Sequence, residues 1–206
     1  MTSEPEKTRQ YRKRRRAEQE AETRERITEA AVKLHGTIGP AKTTVSGIAR
    51  EAGVQRATVY RHFPDEEAIY DACTSHYNAL HPLPDLEQWA AIADPEERLR
   101  VALREIYAFY AETRQMLESV ARDVDRVPAV AEASAGMSAY LGMARSILIK
   151  GRAERGRARA RVGAAIGHAL TLETWRSLAR DQGLSDEEAV ELMTALVASA
   201  GARSQA

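Results

Sequence analysis

Apolar residues recur along this chain at spacings of three and four, and no stretch alternates apolar and polar at a sustained spacing of two. That rhythm predicts helices throughout. Ile27, Ala30, Ala31 and Leu34 mark one face of a helix over about residues 22–36, which stops in the Gly36–Pro40 stretch. Val45, Ile48, Ala49 and Ala52 mark a second, short helix ended by Gly53, where glycine permits the left-handed backbone that a sharp reversal needs. Val54 plugs the corner, and a third helix follows at once with Val59 and Phe63 turned inward. These three helices bury one another. A fourth opens at Pro64-Asp65, where Asp65 can cap free amides, and carries Ile69, Ala72, Cys73, Tyr77 and Leu80 inward.

Pro82 and Pro84 then break the chain, and two capping patterns restart it. Asp94-Pro95-Glu96-Glu97 joins a cap residue to a proline at the first helical position, and Ser185-Asp186-Glu187-Glu188 is a capping box. Between and after them the pattern predicts helices near 95–114, 115–124, 128–149, 159–181 and 186–201, with Gly183 as a stop. The expected fold is all-α. It comprises a basic arm over residues 1–20, a helical N-terminal domain over 21–81 and a C-terminal helical bundle over 82–206.

Composition narrows the function. The 206 residues carry a formal net charge of zero, which argues against a general polyanion binder, and 44% are hydrophobic, enough for real cores. The charge is unevenly placed. Lys7, Arg9, Arg12, Lys13, Arg14, Arg15 and Arg16 form a run without an acid, followed by Glu18, Glu20 and Glu22. A flexible arm of this kind is ordinarily a solvated tail, and in a nucleic-acid-binding chain it can instead reach phosphates or an adjacent minor groove. A second cluster, Lys150, Arg152, Arg155, Arg157, Arg159 and Arg161, reads as a solvated connector.

The single cysteine, Cys73, excludes an intramolecular disulfide, and no apolar run is long enough to span a bilayer. A soluble, cytoplasmic protein is expected. Five histidines and one cysteine form no catalytic or metal-binding spacing, and neither a metal nor a cofactor is implied. His76 and His81 lack a third ligand nearby, and Cys73 falls on an apolar stripe as a buried, inert thiol.

Residues 43–63 carry the sharpest signal: two short helices joined by a glycine turn, the helix-turn-helix layout. With Val59 and Phe63 inward, Arg56, Ala57, Thr58, Tyr60 and Arg61 project outward with donors for phosphates and base edges. Gln55 and Arg56 stand at the N-terminal end of the reading helix, where glutamine can pair with adenine and arginine with guanine, and Ala57 joins them as a base-reading position.

Thr43-Thr44-Val45, Ile48-Ala49, Ala52-Gly53-Val54 and Thr58-Val59-Tyr60-Arg61-His62-Phe63 resemble the signature of the tetracycline-repressor-like (TetR) family of bacterial regulators, over roughly residues 23–70. The resemblance implies a homodimeric repressor that holds a palindromic operator in double-stranded DNA and is released by a small-molecule inducer. It also implies phosphate contacts by Thr44, Thr58, Tyr60 and His62, with Arg61 beside them. Two departures stand out. Gln55 replaces the usual small cap, and Glu66 replaces a phosphate-touching lysine, so that contact is not carried over.

In the C-terminal part, Gly163, Ala164, Ala165, Gly167, Ala169 and Ala179, with Ala195, Leu196, Ala198 and Ala200, resemble the four-helix dimer interface of that family; a tight intrachain core is the other reading. Tyr107, Tyr110, Met116, Tyr140, Met143, His168, Leu172 and Trp175 are candidates to line a pocket for a largely apolar inducer, Glu173 adding a polar group. Side chains of these types at helical spacing are also ordinary core, and the rival reading is a DNA-binding dimer with no inducer pocket.

Overall fold

The computed structural model describes residues 4–202, with side chains from residue 9 onward other than that of Ala133. Among them there is no strand. Ten α-helices follow in order: α1 (Glu4–Thr37), α2 (Val45–Glu51), α3 (Arg56–His62), α4 (Glu66–Leu80), α5 (Leu86–Ala91), α6 (Pro95–Asp123), α7 (Pro128–Leu148), α8 (Gly156–Ala169), α9 (Leu172–Arg176) and α10 (Asp186–Gly201). A 3₁₀ turn spans Pro40–Lys42, and a π-helical stretch, Ser177–Asp181, continues α9. The chain divides into two compact units. The first runs to Leu80 and takes in Glu118–Ala131; the second comprises His81–Leu117 and the chain from Glu132 on.

The core of the first unit matches the stripes read from sequence. Ile27, Ala30 and Ala31 of α1 meet Val45, Ile48 and Ala49 of α2, Val59 of α3, Phe63, and Ile69 and Cys73 of α4. Asp65 caps α4 as expected, its Oδ1 accepting from the Ala68 amide at 2.8 Å, and Thr44, not anticipated as a cap, accepts from the Gly47 amide at 3.0 Å to start α2. Gly53 has φ +66°, and the Val54 amide donates back to the Ala49 carbonyl at 2.9 Å, closing the corner. Leu80, the last residue of α4, departs from its expected inward place and is 61% exposed.

Residues 4–20, expected as a flexible arm, are instead the first half of α1. Their Arg, Glu, Lys, Gln and Ala side chains favour helix, and the acids that follow the basic run lie one turn along it. Arg14 Nε meets Glu18 at 2.8 Å and Arg16 Nε meets Glu20 at 3.1 Å. Residues 9–22 are exposed throughout, so no tertiary contact is needed for that helix.

In the second unit Leu99, Leu103, Ile106, Tyr107 and Tyr110 of α6 pack with Ala144 and Leu148 of α7, Val162 and Ile166 of α8, Trp175, and Val190, Met193 and Val197 of α10. The Ser185 capping box forms on both sides, and Asp94 Oδ2 accepts from the Glu97 amide at 3.0 Å. Three boundaries depart from the sequence pattern. The helices expected at 95–114 and 115–124 are one helix, since nothing between them breaks the backbone and Thr113 returns its hydroxyl to the Phe109 carbonyl at 2.6 Å. The helix expected at 159–181 is divided at Leu170–Thr171, where the Thr171 hydroxyl accepts from the Thr174 amide and starts α9 anew. Helix α5 is not among those the sequence pattern predicts; Asp85 caps its start by accepting from the Glu87 amide at 2.8 Å, and the fully buried Trp89 donates through Nε1 to Glu105 at 2.7 Å.

The basic connector is solvated in large part, with Lys150, Arg155, Arg157 and Arg161 exposed, but two of its arginines also brace helix ends. Arg152 is only 6% exposed and binds Glu96 at 2.6 Å and the Pro95 carbonyl at 3.2 Å. Arg161 reaches the Ala200 and Ala202 carbonyls at 3.1 and 3.2 Å. Buried Arg98 donates to the Ile92, Ala93, Ile147 and Lys150 carbonyls, satisfying backbone groups that the ends of α7 and of the preceding loop leave free. Guanidinium forks close these helix ends, a role that sequence position does not reveal.

Candidate nucleic-acid interface

Helix α3 spans only seven residues, and two of its neighbours in the core decide its orientation. Val59 and the following Phe63 are fully buried, which leaves Arg56, Ala57, Tyr60 and Arg61 exposed and Thr58 half-buried at the edge of the row. Gln55 occupies the cap position with extended backbone but makes no capping hydrogen bond, so its exposed amide stays available at the leading end of α3. Within the row, Arg56 Nη2 donates to the Tyr60 hydroxyl at 3.0 Å and the guanidinium lies 5.4 Å from the Tyr60 ring centroid. That hydrogen bond, then the coupling to Tyr60, raises the Arg56 pKa. A base-reading candidate and a phosphate-binding candidate thus share one geometry.

Thr44 is exposed and uses its oxygen lone pair for the Gly47 amide, which leaves the hydroxyl proton free to donate. His62 lies elsewhere. It is half-buried in a groove lined by Arg16, Gln19, Glu20 and Thr23 of α1 and by Arg61, and its buried Nε2 has no partner. Burial, then the charges of Arg61 and Arg24, lower its pKa, which favours the neutral ring over the imidazolium a phosphate would prefer. Glu66, at the start of α4, is exposed.

Arg24 carries no sequence signal for its role. Its Nη1 donates to the His62 carbonyl at 2.6 Å and its guanidinium lies 4.1 Å from the Phe63 ring centroid, so it closes the C-terminal end of α3 and ties that helix to α1. The 3₁₀ turn before α2 is pinned by the buried Asp123 carboxylate, which accepts from the Ala41 amide at 3.0 Å. Gly39 is required there: its φ is +90°, and a Cβ would approach Asp123 Oδ2 to 2.6 Å.

The candidate ligand residues are dispersed. Tyr107, Tyr110, Tyr140 and Trp175 lie in the core of the second unit, Met116 and Leu172 are half-buried, and Met143 and His168 are exposed. The polar atoms of the buried four are occupied. Tyr107 and Tyr110 donate to the Ala169 and Leu170 carbonyls at 2.9 and 2.7 Å, just where α8 stops and its last carbonyls lose helical partners. Tyr140 donates to the Pro84 carbonyl at 2.8 Å, and Trp175 Nε1 donates to Asp186 at 2.9 Å. Burial raises the pKa of all three phenols. Two glycines expected at a dimer interface, or else in an intrachain core, face their own chain: a Cβ on Gly163 would meet Ile149 at 3.0 Å, and one on Gly167 would meet Arg145 at 3.4 Å. Among the described residues no three His, Cys, Asp or Glu side chains are grouped to hold a metal ion, and no helix is long and apolar enough to cross a membrane.

Residues 27–73 match the family model of bacterial regulatory proteins, tetR family. Over 87 residues the chain is 36% identical to the HTH-type transcriptional regulator SrpR of Pseudomonas putida, covering 38% of this chain and 40% of that protein. Over 81 residues it is 30% identical to the uncharacterized HTH-type transcriptional regulator YerO of Bacillus subtilis, covering 38% of this chain and 28% of YerO. The matched segment thus spans well under half of either relative.

The likeness to solved structures extends along most of the chain. The TetR family transcriptional regulator PfmR of Thermus thermophilus superposes with a TM-score of 0.61 at 22% identity, covering 86% of this chain and 99% of that one. FadR of Bacillus subtilis, solved with stearoyl-CoA, gives 0.59 at 19% identity over 86% and 98%. At such identities the fold is what is shared. The chain therefore carries the helix-turn-helix domain of the tetR family of bacterial regulatory proteins, within an all-α fold common to solved regulators of that family.

Proposed function

We propose that the protein is a cytoplasmic, homodimeric transcriptional regulator that reads a palindromic operator with α3 and represses until a small, largely apolar inducer releases it. The observation that carries the DNA-binding part is the row Gln55, Arg56, Ala57, Tyr60 and Arg61, exposed along one helix whose opposite side is fixed by Val59 and Phe63. Exposed Arg9, Arg12, Lys13, Arg14, Arg15 and Arg16 supply further phosphate charge along the first half of α1. The dimer reading draws on α10, where Leu192 and Leu196 are 40% and 47% exposed with Ala195 and Ser199 on the same face, an apolar stripe with no cover within the described chain. A stearoyl-CoA complex of a regulator with this fold makes the inducer reading reasonable for the second unit.

A regulator without an inducer pocket is the second reading, favoured by the occupied hydroxyls of Tyr107 and Tyr110 in a filled core. Selecting DNA from a random pool tests the first part. Two half-sites in inverted repeat, with centres about 34 Å apart or a multiple of that, are expected; recovery of no preferred sequence refutes it. Screening compounds for release of the selected DNA separates the two readings.

A further inference from the structure

The first unit contains a cavity that the exposed row of α3 does not use. It measures about 140 Å³ and lies among the end of α1, the 3₁₀ turn, α2, α4 and Val127. We propose that it is a binding site for a small, neutral, single-ring aromatic molecule bearing one hydroxyl, of the size of phenol. The site lies in the unit assigned to DNA, but its occupancy does not depend on that assignment.

Size sets the first limit. A protein cavity of about 150 Å³ accommodates benzene, and this one, partly open and of mixed polar and apolar lining, has room for one ring. Much of the lining is apolar, including Val45, Ile48 and Ile69. Two polar groups then fix orientation. His35, 4% exposed, engages Cys73 Sγ through Nδ1 at 3.3 Å, and its Nε2 has no hydrogen-bond partner among the described residues. The Tyr70 hydroxyl likewise has none, while its ring stacks on His35 with centroids 4.7 Å apart. Burial lowers the His35 pKa to about 4, so at neutral pH the ring is uncharged and Nε2 donates or accepts one hydrogen bond according to its tautomer. A ligand hydroxyl serves either case. Among the lining residues only Glu66 is charged at neutral pH, which sets the site against a carboxylate ligand.

Contacts of the lining residues brace the walls of the cavity. Asp123 holds the Ala41 amide, Thr43 Oγ1 donates to the Gly39 carbonyl at 2.9 Å, and His35 is fixed on both ring face and ring edge. Because Val45 and Ile48 belong to the buried face of α2, a bound ring completes the packing beneath the helix-turn-helix, and binding to the folded unit alone stabilises it.

Methyl NMR of the full chain titrated with phenol tests the site, with benzoate as the charged control. Saturable shifts at Val45, Ile48, Ile69 and Val127, absent with benzoate, are expected. Val127→Trp, which fills the cavity, should abolish them, and His35→Phe, which keeps the stacked ring but removes Nε2, should weaken phenol about tenfold. Should His35→Phe fail to fold, Val127→Trp alone decides. No saturable shift, shifts confined to the second unit, equal binding of benzoate, or unchanged binding to Val127→Trp would each overturn the proposal. DNA affinity is measured separately with and without phenol, so a protein that binds phenol and not DNA refutes only the DNA assignment.

Discussion

Arg56 and Tyr60 differ in what they are expected to do on DNA, although they touch one another. Arg56→Ala should relax preference at one or two base pairs, with a loss of about 1–3 kcal/mol on the matched site. Tyr60→Phe should weaken binding on matched and mismatched sites alike, because a phosphate contact carries no sequence information. Binding to a set of single-base operator variants checks both, and the double variant should lose less than the sum of the two, since either single change already disrupts the shared hydrogen bond. His35 makes a different prediction, about folding. Its pKa is lowered from 6.5 to about 4 by burial, so between those values the unfolded chain binds the proton and the folded chain does not. The stability contributed is complete above pH 6.5, declines as pH falls toward 4, and changes no further below it. The full loss is on the order of 3 kcal/mol. Denaturant melts of wild type and His35→Phe across this window should converge as pH falls, the variant lacking this part of the acid slope.

At the scale of elements, the first half of α1 is a helix with charge and without a core. Deleting residues 1–20 should leave the melt of the remaining chain nearly unchanged, since residues 9–20 are exposed throughout. It should flatten the salt dependence of DNA binding by about 0.9 in log–log slope for each phosphate that the deleted residues neutralise. Identical slopes for both lengths would show that this part of α1 does not touch DNA. The 3₁₀ turn predicts the opposite balance. Asp123→Ala removes the acceptor that pins the Ala41 amide before α2, so it should cost about 1–3 kcal/mol of stability, read from chemical denaturation.

For the whole molecule, the stripe on α10 carries the dimer reading. Leu196→Glu places a charge on a residue that is 47% exposed, so the fold should survive while sedimentation shows monomers and operator affinity falls because half-sites no longer act in pairs. A fully dimeric Leu196→Glu would place the interface elsewhere. Gly167→Arg is a poorer probe, because a Cβ there already meets the Arg145 side chain of the same chain at 3.4 Å, so the change also perturbs intrachain packing.

What the sequence determined by itself was local and periodic. The stripes of α1, α2 and α4, the Gly53 corner, the caps at Asp65, Asp94 and Ser185 and the exposed row of α3 depend on interactions within a few residues, so spacing exposes them. Tertiary structure decided whatever depended on a distant partner. Arg24 reaches α3 from 38 residues away, Asp123 reaches Ala41 from 82, and the buried Trp89 ties α5 to Glu105, 16 residues on. The same reason divides the long helix expected at 159–181. Its break at Leu170–Thr171 is tolerable only because Tyr107 and Tyr110, 62 and 60 residues earlier, satisfy the freed carbonyls, and that use of two tyrosines looks identical in sequence to a pocket lining.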